Sequence, residues 1–455
     1  MPSPADQDKD RRDKDRRDKD RTQVSPEERA ERAPLWRQIG PGLITGAACD
    51  DPSAIGTFCT AGAQFGYGLL WLGFFVTPLM VAVQEMCGRL GRATGKGLAG
   101  AMAEHYPRWM VWAAALLLSG VCVTLAWADL GAMAASVQIL LHGPRVLWLV
   151  GLAAGSLALV VFVPYKRLER FLKWLALALL SYVVVAVLPA TRNDWAATAR
   201  GLVVPHWSWD ADFLLAATGI LGTSISASLF FWQSSEEVER AVAEDKADRP
   251  GGRKEPASDR EVRSVRADTA GGMIGSQAIG IFVLVCAAAT LHAHGQTRVD
   301  TAQQAAGALR PLGRAAYALF AAGIVGAGLL AVPTLAGAAG YTVAEAAGWP
   351  YGLYRRPARA PGFYAVIAGV LLAGLALNFV RALSPVKGLL YAAALNGVIA
   401  PPLLVLLLLL CNRPDVLGDR TNGRWANALG VLATVVMTGA SGFFIWAVAT
   451  GKASH

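Results

Sequence analysis

The chain has 455 residues, 54% of them hydrophobic and 16% charged, with a mean hydropathy of +0.40 and a formal net charge of +9. Apolar sequence spread almost from end to end excludes an ordinary water-soluble globule, which at this length would divide into several domains. The positive charge does not point to nucleic acid, because the basic residues sit in short loops between apolar runs.

Residues 1–38 form a polar tail whose core, from Asp8 to Arg21, repeats a five-residue charged unit. The charges nearly cancel and no face is apolar, so a disordered, solvated tail is expected. It is too long and too acidic for the basic region of a secretion signal, and no cleavage pattern follows it. Residues 39–455 read as one transmembrane domain. Apolar segments lie near 40–60, 68–91, 109–141, 146–164, 168–190, 212–235, 268–292, 313–343, 361–379, 386–411 and 425–449, about eleven in all. Most reach the ~20 residues needed to span a bilayer. The segments at 109–141 and 313–343 are long enough to tilt or to carry turns outside the membrane.

The loops with Arg89, Arg92 and Lys96, with Lys166, Arg167 and Arg170, and with Arg355, Arg356 and Arg359 fall on one side, with the tail. The charged 237–267 loop, expected to be flexible, joins them. This end is called the basic end below. The positive-inside rule makes it cytoplasmic and, with an odd number of spans, puts the C-terminus outside. A bacterial inner (plasma) membrane location is expected.

The first apolar segment contains Asp50-Asp51-Pro52-Ser53-Ala54. A carboxylate in a bilayer is costly and normally faces a cavity, a partner or a permeating ion. Pro52 lacks a backbone donor and disfavours helix in the preceding residue. The helix should therefore break at Asp51 and free carbonyl oxygens beside an acid, a pattern that suits a cation. The sixth segment contains Gly222-Thr223-Ser224-Ile225-Ser226-Ala227-Ser228. These small polar residues either loosen the helix or serve close helix packing. If five segments make one repeat, the first and sixth segments correspond, and interrupted helices in corresponding places point to a transporter site.

Other polar residues carry two readings each. Asp50 either helps attract a dication, or lines an outer vestibule or pairs with a basic group. Glu85 reads as an intrahelical partner of Arg89. Glu236 and Glu237 reach water or pair with Arg240, or line an exit. Asp129 lies deep in its segment and reads as an interior functional acid. Gln233 and Asn396 either contact a hydrated ion or bond between helices. Cys49 and Cys59 flank the first break and read as small buried hydrophobes or as soft-metal ligands. The six cysteines show no spacing of a disulfide framework. His292 and His294 lack a third ligand at useful spacing. No zinc-protease, Walker or nucleophile-elbow motif is present, so an enzyme is not expected, nor a cofactor.

Gly40-Pro41-Gly42, Asp51-Pro52, the run Gly62-Ala63-Gln64-Phe65-Gly66-Tyr67-Gly68-Leu69-Leu70-Trp71, Arg89-Leu90-Gly91 and Thr94-Gly95-Lys96 together resemble the Nramp family of divalent-metal transporters. The resemblance implies an all-α, LeuT-like fold of five plus five inverted helices, with helices one and six broken and an eleventh appended. It also implies metal ions as substrates. The family's Asp-Pro-Gly-Asn is here Asp51-Pro52-Ser53-Ala54, so the acid is kept and the amide lost. Its Met-Pro-His aligns with Ser226-Ala227-Ser228, and its carbonyl ligand three residues earlier with Thr223. On the third helix an acidic pair is reduced to Asp129, with Ala132 in the second place. A tenth-helix glutamine aligns with Ala393. The metal site implied is thus Asp51, Ala54, Thr223 and Ser226, with Asp50, Asp129, Ser228 and Gln233 along the pathway.

Loss of a soft thioether removes the preference for later transition metals, and smaller side chains leave more room. Mg2+ keeps several waters and binds through one or two carboxylates. The expectation is therefore alternating-access transport of hydrated Mg2+, with Mn2+ as a second substrate, without proton coupling. This resembles the Nramp-related magnesium transporters. Rival readings are a proton-coupled Mn2+/Fe2+ transporter, an organic-cation or amino-acid carrier on the same superfold, and a non-transporting metal sensor. The expected partners are the cation and the lipid bilayer, with no nucleic acid.

Overall fold

A computed structural model describes residues 41–450, apart from 142, 164–179, 189–192, 245–251, 253–256, 300–301, 314 and 381–384. The charged tail lies outside the described residues, as do most of the fifth apolar segment and Lys166, Arg167, Arg170, Lys246, Arg253 and Lys254.

The described residues are helical, with no strand among them. The first segment is two helices, α1 (Pro41–Cys49) and α2 (Pro52–Phe65). There follow α3 (Leu70–Thr94), the short α4 (Leu98–His105), α5 (Arg108–Leu140), α6 (Arg145–Phe162), α7 (Leu180–Val187) and α8 (Trp195–Val203). The sixth segment is again two helices, α9 (Ala211–Ser224) and α10 (Ala227–Ala243). Then come α11 (Asp259–Thr290), α12 (Ala315–Ala347), α13 (Pro361–Leu377), α14 (Pro385–Cys411) and α15 (Arg424–Ala449). Eight stretches among the described residues are long and apolar enough to span a membrane. With the broken first segment, the shorter α13 and the described part of the fifth, they match the eleven apolar segments in order.

Burial sorts these helices into layers. The apolar window of Ala211–Ala243 is 100% buried, whereas those of α6 and α15 are 22% buried. The broken sixth segment is thus the centre of the bundle, and α6 and α15 present apolar faces outward, as lipid contact requires. The long segments at 109–141 and 313–343 are continuous 33-residue helices, α5 and α12, packed along each other. At ~1.5 Å per residue each is ~50 Å long, which exceeds the ~30 Å hydrocarbon core and so requires tilt or projection.

Small residues let the central helices touch. A Cβ on Gly46 of α1 would lie 2.3 Å from the Gly272 carbonyl oxygen of α11, so α1 and α11 meet backbone to backbone. The Gly42 amide donates to the Asp268 carboxylate at 2.8 Å on the same helix.

The 237–267 stretch, expected to be a flexible loop, is shorter than that. Residues 237–243 continue α10 and 259–267 begin α11. A capping box starts α11: Ser258 Oγ accepts from the Glu261 amide, and Glu261 accepts from the Ser258 amide. Charge pairing extends the order at this end. Arg92, only 3% exposed, reaches Glu244 at 2.5 Å, Glu261 at 2.7 Å and the fully buried Glu237 at 4.0 Å. Arg240 pairs with Glu244 at 2.8 Å and its charge also acts on Glu237, so Glu237 sits between Arg240 and Arg92 of another helix. Glu85 pairs with Arg89 at 3.2 Å, as its spacing predicts, and also with Arg266 at 3.3 Å.

Removing one partner of a buried ion pair strands the other. Arg92→Leu should therefore destabilise the protein by about 3–5 kcal/mol, read as a lower melting temperature in detergent. An unchanged melting temperature would show that this network is not structural.

Candidate functional site

The first break is built by Asp51 and Pro52. α1 stops at Cys49, and Pro52 opens α2 at a position where its missing N–H costs nothing. Asp51 is the N-cap, with extended backbone (φ −64°, ψ 165°), and its carboxylate accepts from the Ala54 amide at 2.6 Å. The acid is thereby held at the positive end of a helix, which favours its charge.

The second break has no proline. α9 ends at Ser224, Ile225 leaves helical geometry (φ −112°, ψ 71°), and Ser226 caps α10. Ser226 Oγ lies 2.9 Å from Ser228 Oγ. Asn396 of α14 completes the junction. Its Nδ2 donates to the Gly222 carbonyl and to Ser226 Oγ, each at 2.8 Å, and its Oδ1 accepts from the Ala227 amide at 3.2 Å.

The two breaks enclose a cavity whose polar wall is Asp51, Thr223, Ser226, Ser228, Thr334 and Asn396. Cys49, Ala48, Leu125, Leu229, Ala331 and Leu335 supply the rest of the wall. The cavity measures about 310 Å³ counting the open space at its mouth, and its enclosed part has room for about one water. One carboxylate, several hydroxyls and an amide oxygen make a donor set suited to a hard cation. Among the described residues no group of three or more His, Cys, Asp or Glu side chains could hold a metal ion.

The structure thus brings together Asp51, Thr223, Ser226 and Ser228 and sets the other candidates around them. Ala54 is buried behind the wall and contributes its amide to Asp51. Asp129, fully buried, accepts from Ser53 Oγ at 2.7 Å and from the Ser53 amide at 3.1 Å, tying α5 to the start of α2. Asp50 is 5% exposed and accepts from Ser276 Oγ at 2.9 Å, so its partner is a hydroxyl of α11. Gln233 is buried in α10 with Nε2 3.5 Å from Thr269 Oγ1 of α11, the helix-to-helix alternative read from the sequence. His292 packs its Nδ1 2.9 Å from the Ala63 carbonyl, away from the cavity wall. Cys49 lines the cavity, while Cys59 is buried outside its wall.

Two residues of the wall carried weaker signals in the sequence. Asn396 is a lone amide inside the apolar run 386–411, one helical turn beyond the Ala393 that aligned with the family's glutamine. Thr334 follows Pro333 within α12, and its hydroxyl is turned to the Leu330 carbonyl at 2.8 Å.

Comparison with known proteins places this arrangement. Residues 42–447 match the Nramp family model, described as natural resistance-associated macrophage protein-like. The chain is 28% identical over 414 residues to the divalent metal cation transporter MntH of Yersinia enterocolitica, covering 90% of this chain and 94% of that one. It is 27% identical over 424 residues to MntH of Klebsiella pneumoniae, covering 92% and 95%. Among solved structures it resembles the manganese transporter of Eremococcus coleocola, with a TM-score of 0.70 and 18% identity over 90% of this chain and 86% of that one. It also resembles MhsT, solved with L-phenylalanine, with a TM-score of 0.58 and 12% identity over 90% and 98%. The fold is LeuT-like, with both broken helices at its centre, and the chain is an integral membrane protein that belongs to the Nramp family of divalent metal cation transporters.

Proposed function

We propose that this chain carries hydrated Mg2+ across the membrane, with Mn2+ as a second substrate, by alternating access and without proton coupling. The observation that carries the proposal is the donor set between the two breaks. A single carboxylate, Asp51, faces hydroxyls and an amide, and Ser226 stands where the family motif has a methionine. Oxygen donors without a thioether lose the selective grip on later transition metals. Mg2+ binds well through one carboxylate and retained water.

The enclosed space has room for about one water, less than the smaller side chains at 54 and 226 lead one to expect, so this closed arrangement does not hold an ion with a full water shell. A hydrated ion therefore enters or leaves only when one bundle of helices rocks away from the other. That movement is the alternating step. Asp51 supplies the charge, the Thr223 carbonyl and the Ser226 hydroxyl supply neutral oxygens, and water completes the shell. Proton uptake has little to work with here. Serine and alanine occupy the places of the motif's histidine and of one third-helix acid, and one oxygen of the remaining acid, Asp129, accepts both donors of Ser53. The protein acts as a carrier and not as an enzyme or a sensor. It sits in the bacterial inner membrane with the basic end cytoplasmic and the C-terminus outside, an orientation supported by Arg89, Arg92, Arg355 and Arg359 at one end.

One observation favours a second reading. Cys49 lines the cavity, and a thiol is a softer donor than any oxygen. If Cys49 served as a ligand, the substrate would be Mn2+ or Fe2+, and proton coupling would return as the expectation.

Uptake into proteoliposomes containing a pH dye separates the two. The first reading requires Mg2+ entry, competition by Mn2+ and no acidification. Mn2+ entry with acidification and no Mg2+ flux supports the second. Asp51→Ala should reduce uptake to that of protein-free vesicles while the protein remains folded; retained uptake removes Asp51 from the site. Restoring the motif residues, Ala54→Asn with Ser226→Met, should shift the Mn2+/Mg2+ preference toward Mn2+ by about tenfold, ~1.4 kcal/mol. No shift would mean that these two positions do not set selectivity.

A further inference from the structure

α9 and α14 approach more closely than side chains would allow. A Cβ on Gly222 would lie 2.1 Å from the Ala393 carbonyl oxygen and 2.6 Å from the Gly397 nitrogen. A Cβ on Gly397 would lie 2.9 Å from the Thr218 carbonyl oxygen. Paired glycines bring the two backbones into contact, and the residue beside the contact, Asn396, enters the gap between α9 and α10.

The bonds Asn396 makes there replace specific missing ones. In an unbroken helix the Ser226 amide would donate to the Gly222 carbonyl, and the Ala227 amide to the Thr223 carbonyl. Here Asn396 Nδ2 donates to the Gly222 carbonyl at 2.8 Å, and Asn396 Oδ1 takes the Ala227 amide at 3.2 Å. The Thr223 carbonyl is relieved of the Ala227 N–H at the cavity wall. The second Nδ2 proton goes to Ser226 Oγ at 2.8 Å. A hydroxyl has one proton and two lone pairs. One lone pair takes the Asn396 proton, and the 2.9 Å contact with Ser228 Oγ can run in either direction; with Ser226 as its donor, one lone pair is left for the cavity. The amide orientation follows from the partners: two acceptors face Nδ2 and one donor faces Oδ1.

We propose that Asn396, seated by the Gly222–Gly397 contact, is a positioning residue for the transported cation: it splints the break between α9 and α10 and so presents the Thr223 carbonyl and the Ser226 hydroxyl as oxygen donors to the cavity. This rests on the cavity being the cation site. Neither a leucine nor an alanine at 396 could make the three bonds, and the freed groups would pair with each other by closing the helix.

The test is the concentration dependence of Mg2+ uptake into proteoliposomes for Asn396→Leu, Ser226→Ala and the double variant, with folded protein counted by size-exclusion chromatography. Asn396→Leu should raise KM for Mg2+ about tenfold, with a smaller change in kcat. Ser226→Ala should raise KM in the same direction. The double variant should be no worse than Asn396→Leu alone, because Ser226 depends on Asn396 for its orientation. A purely structural role would lower the yield of folded protein and leave KM of the folded fraction unchanged; that result overturns the proposal. Fully additive effects of the two substitutions also overturn it. Ser226→Ala leaves the backbone bonds of the splint intact and tests the hydroxyl arm even if Asn396→Leu fails to fold; an unchanged KM in that variant overturns the proposal. Asp51→Ala separates the two levels. Retained uptake in that variant removes the cavity and the positioning role with it. Abolished uptake together with an unchanged KM in Asn396→Leu removes only the positioning role.

Discussion

A backbone polar group inside an apolar bundle must be bonded, and two helices of this protein break in the bundle's centre. Everything at the site follows from how those freed groups are answered. At the first break the answer is mainly local: Pro52 has no N–H to satisfy, Asp51 caps the Ala54 amide from three residues away, and the Ser53 amide alone goes to a distant helix, to Asp129 of α5. At the second break the answer comes from a distant helix, with Asn396 taking the Gly222 carbonyl and the Ala227 amide across 174 and 169 residues. The two solutions differ in what they leave exposed. The first leaves a carboxylate at a helix N-terminus; the second leaves a carbonyl and a hydroxyl. Their meeting point is the cavity.

The remaining charges obey the same constraint. Asp50 and Asp129 flank the first break and are both buried, and each accepts from a serine hydroxyl, Ser276 and Ser53 respectively. Ser53 also ties α2 to α5, so the half-helix that carries Asp51 has a fixed neighbour. At the basic end Arg92 gathers carboxylates from α10 and from the start of α11. These elements both follow the second break and lie on either side of the segment that joins α10 to α11.

Sequence patterning carried much of this. Apolar length fixed the spans, and the Asp-Pro step fixed the first break, because proline chemistry is local and works the same way in any context. Gly222 to Ser228 marked the second break only in combination with its place in the chain. Glu85 and Arg89 paired as their four-residue spacing requires. Where the sequence reading fell short, the partner was remote. The 237–267 stretch looked like a loop because its charges have no helical pattern of their own, yet Arg92 of α3 and the Ser258 capping box order parts of it into helix. Arg240 acts on Glu237 as the sequence suggests and pairs also with Glu244, while Arg92 of α3 is the partner that spacing could not show.

By itself the sequence determined the membrane class, the order of the helices, the two breaks and the presence of one acid at the first of them. These depend on hydrophobic length, proline geometry and the cost of a charge in an apolar medium, all properties of short segments. Tertiary structure alone decided which residues share the cavity. Asp51, Thr223, Ser226 and Asn396 lie on three segments far apart in the chain and meet because glycines let the backbones of α9 and α14 touch. It also decided that Asn396 lines the cavity and Gln233 does not, although each is an amide bonded to another helix.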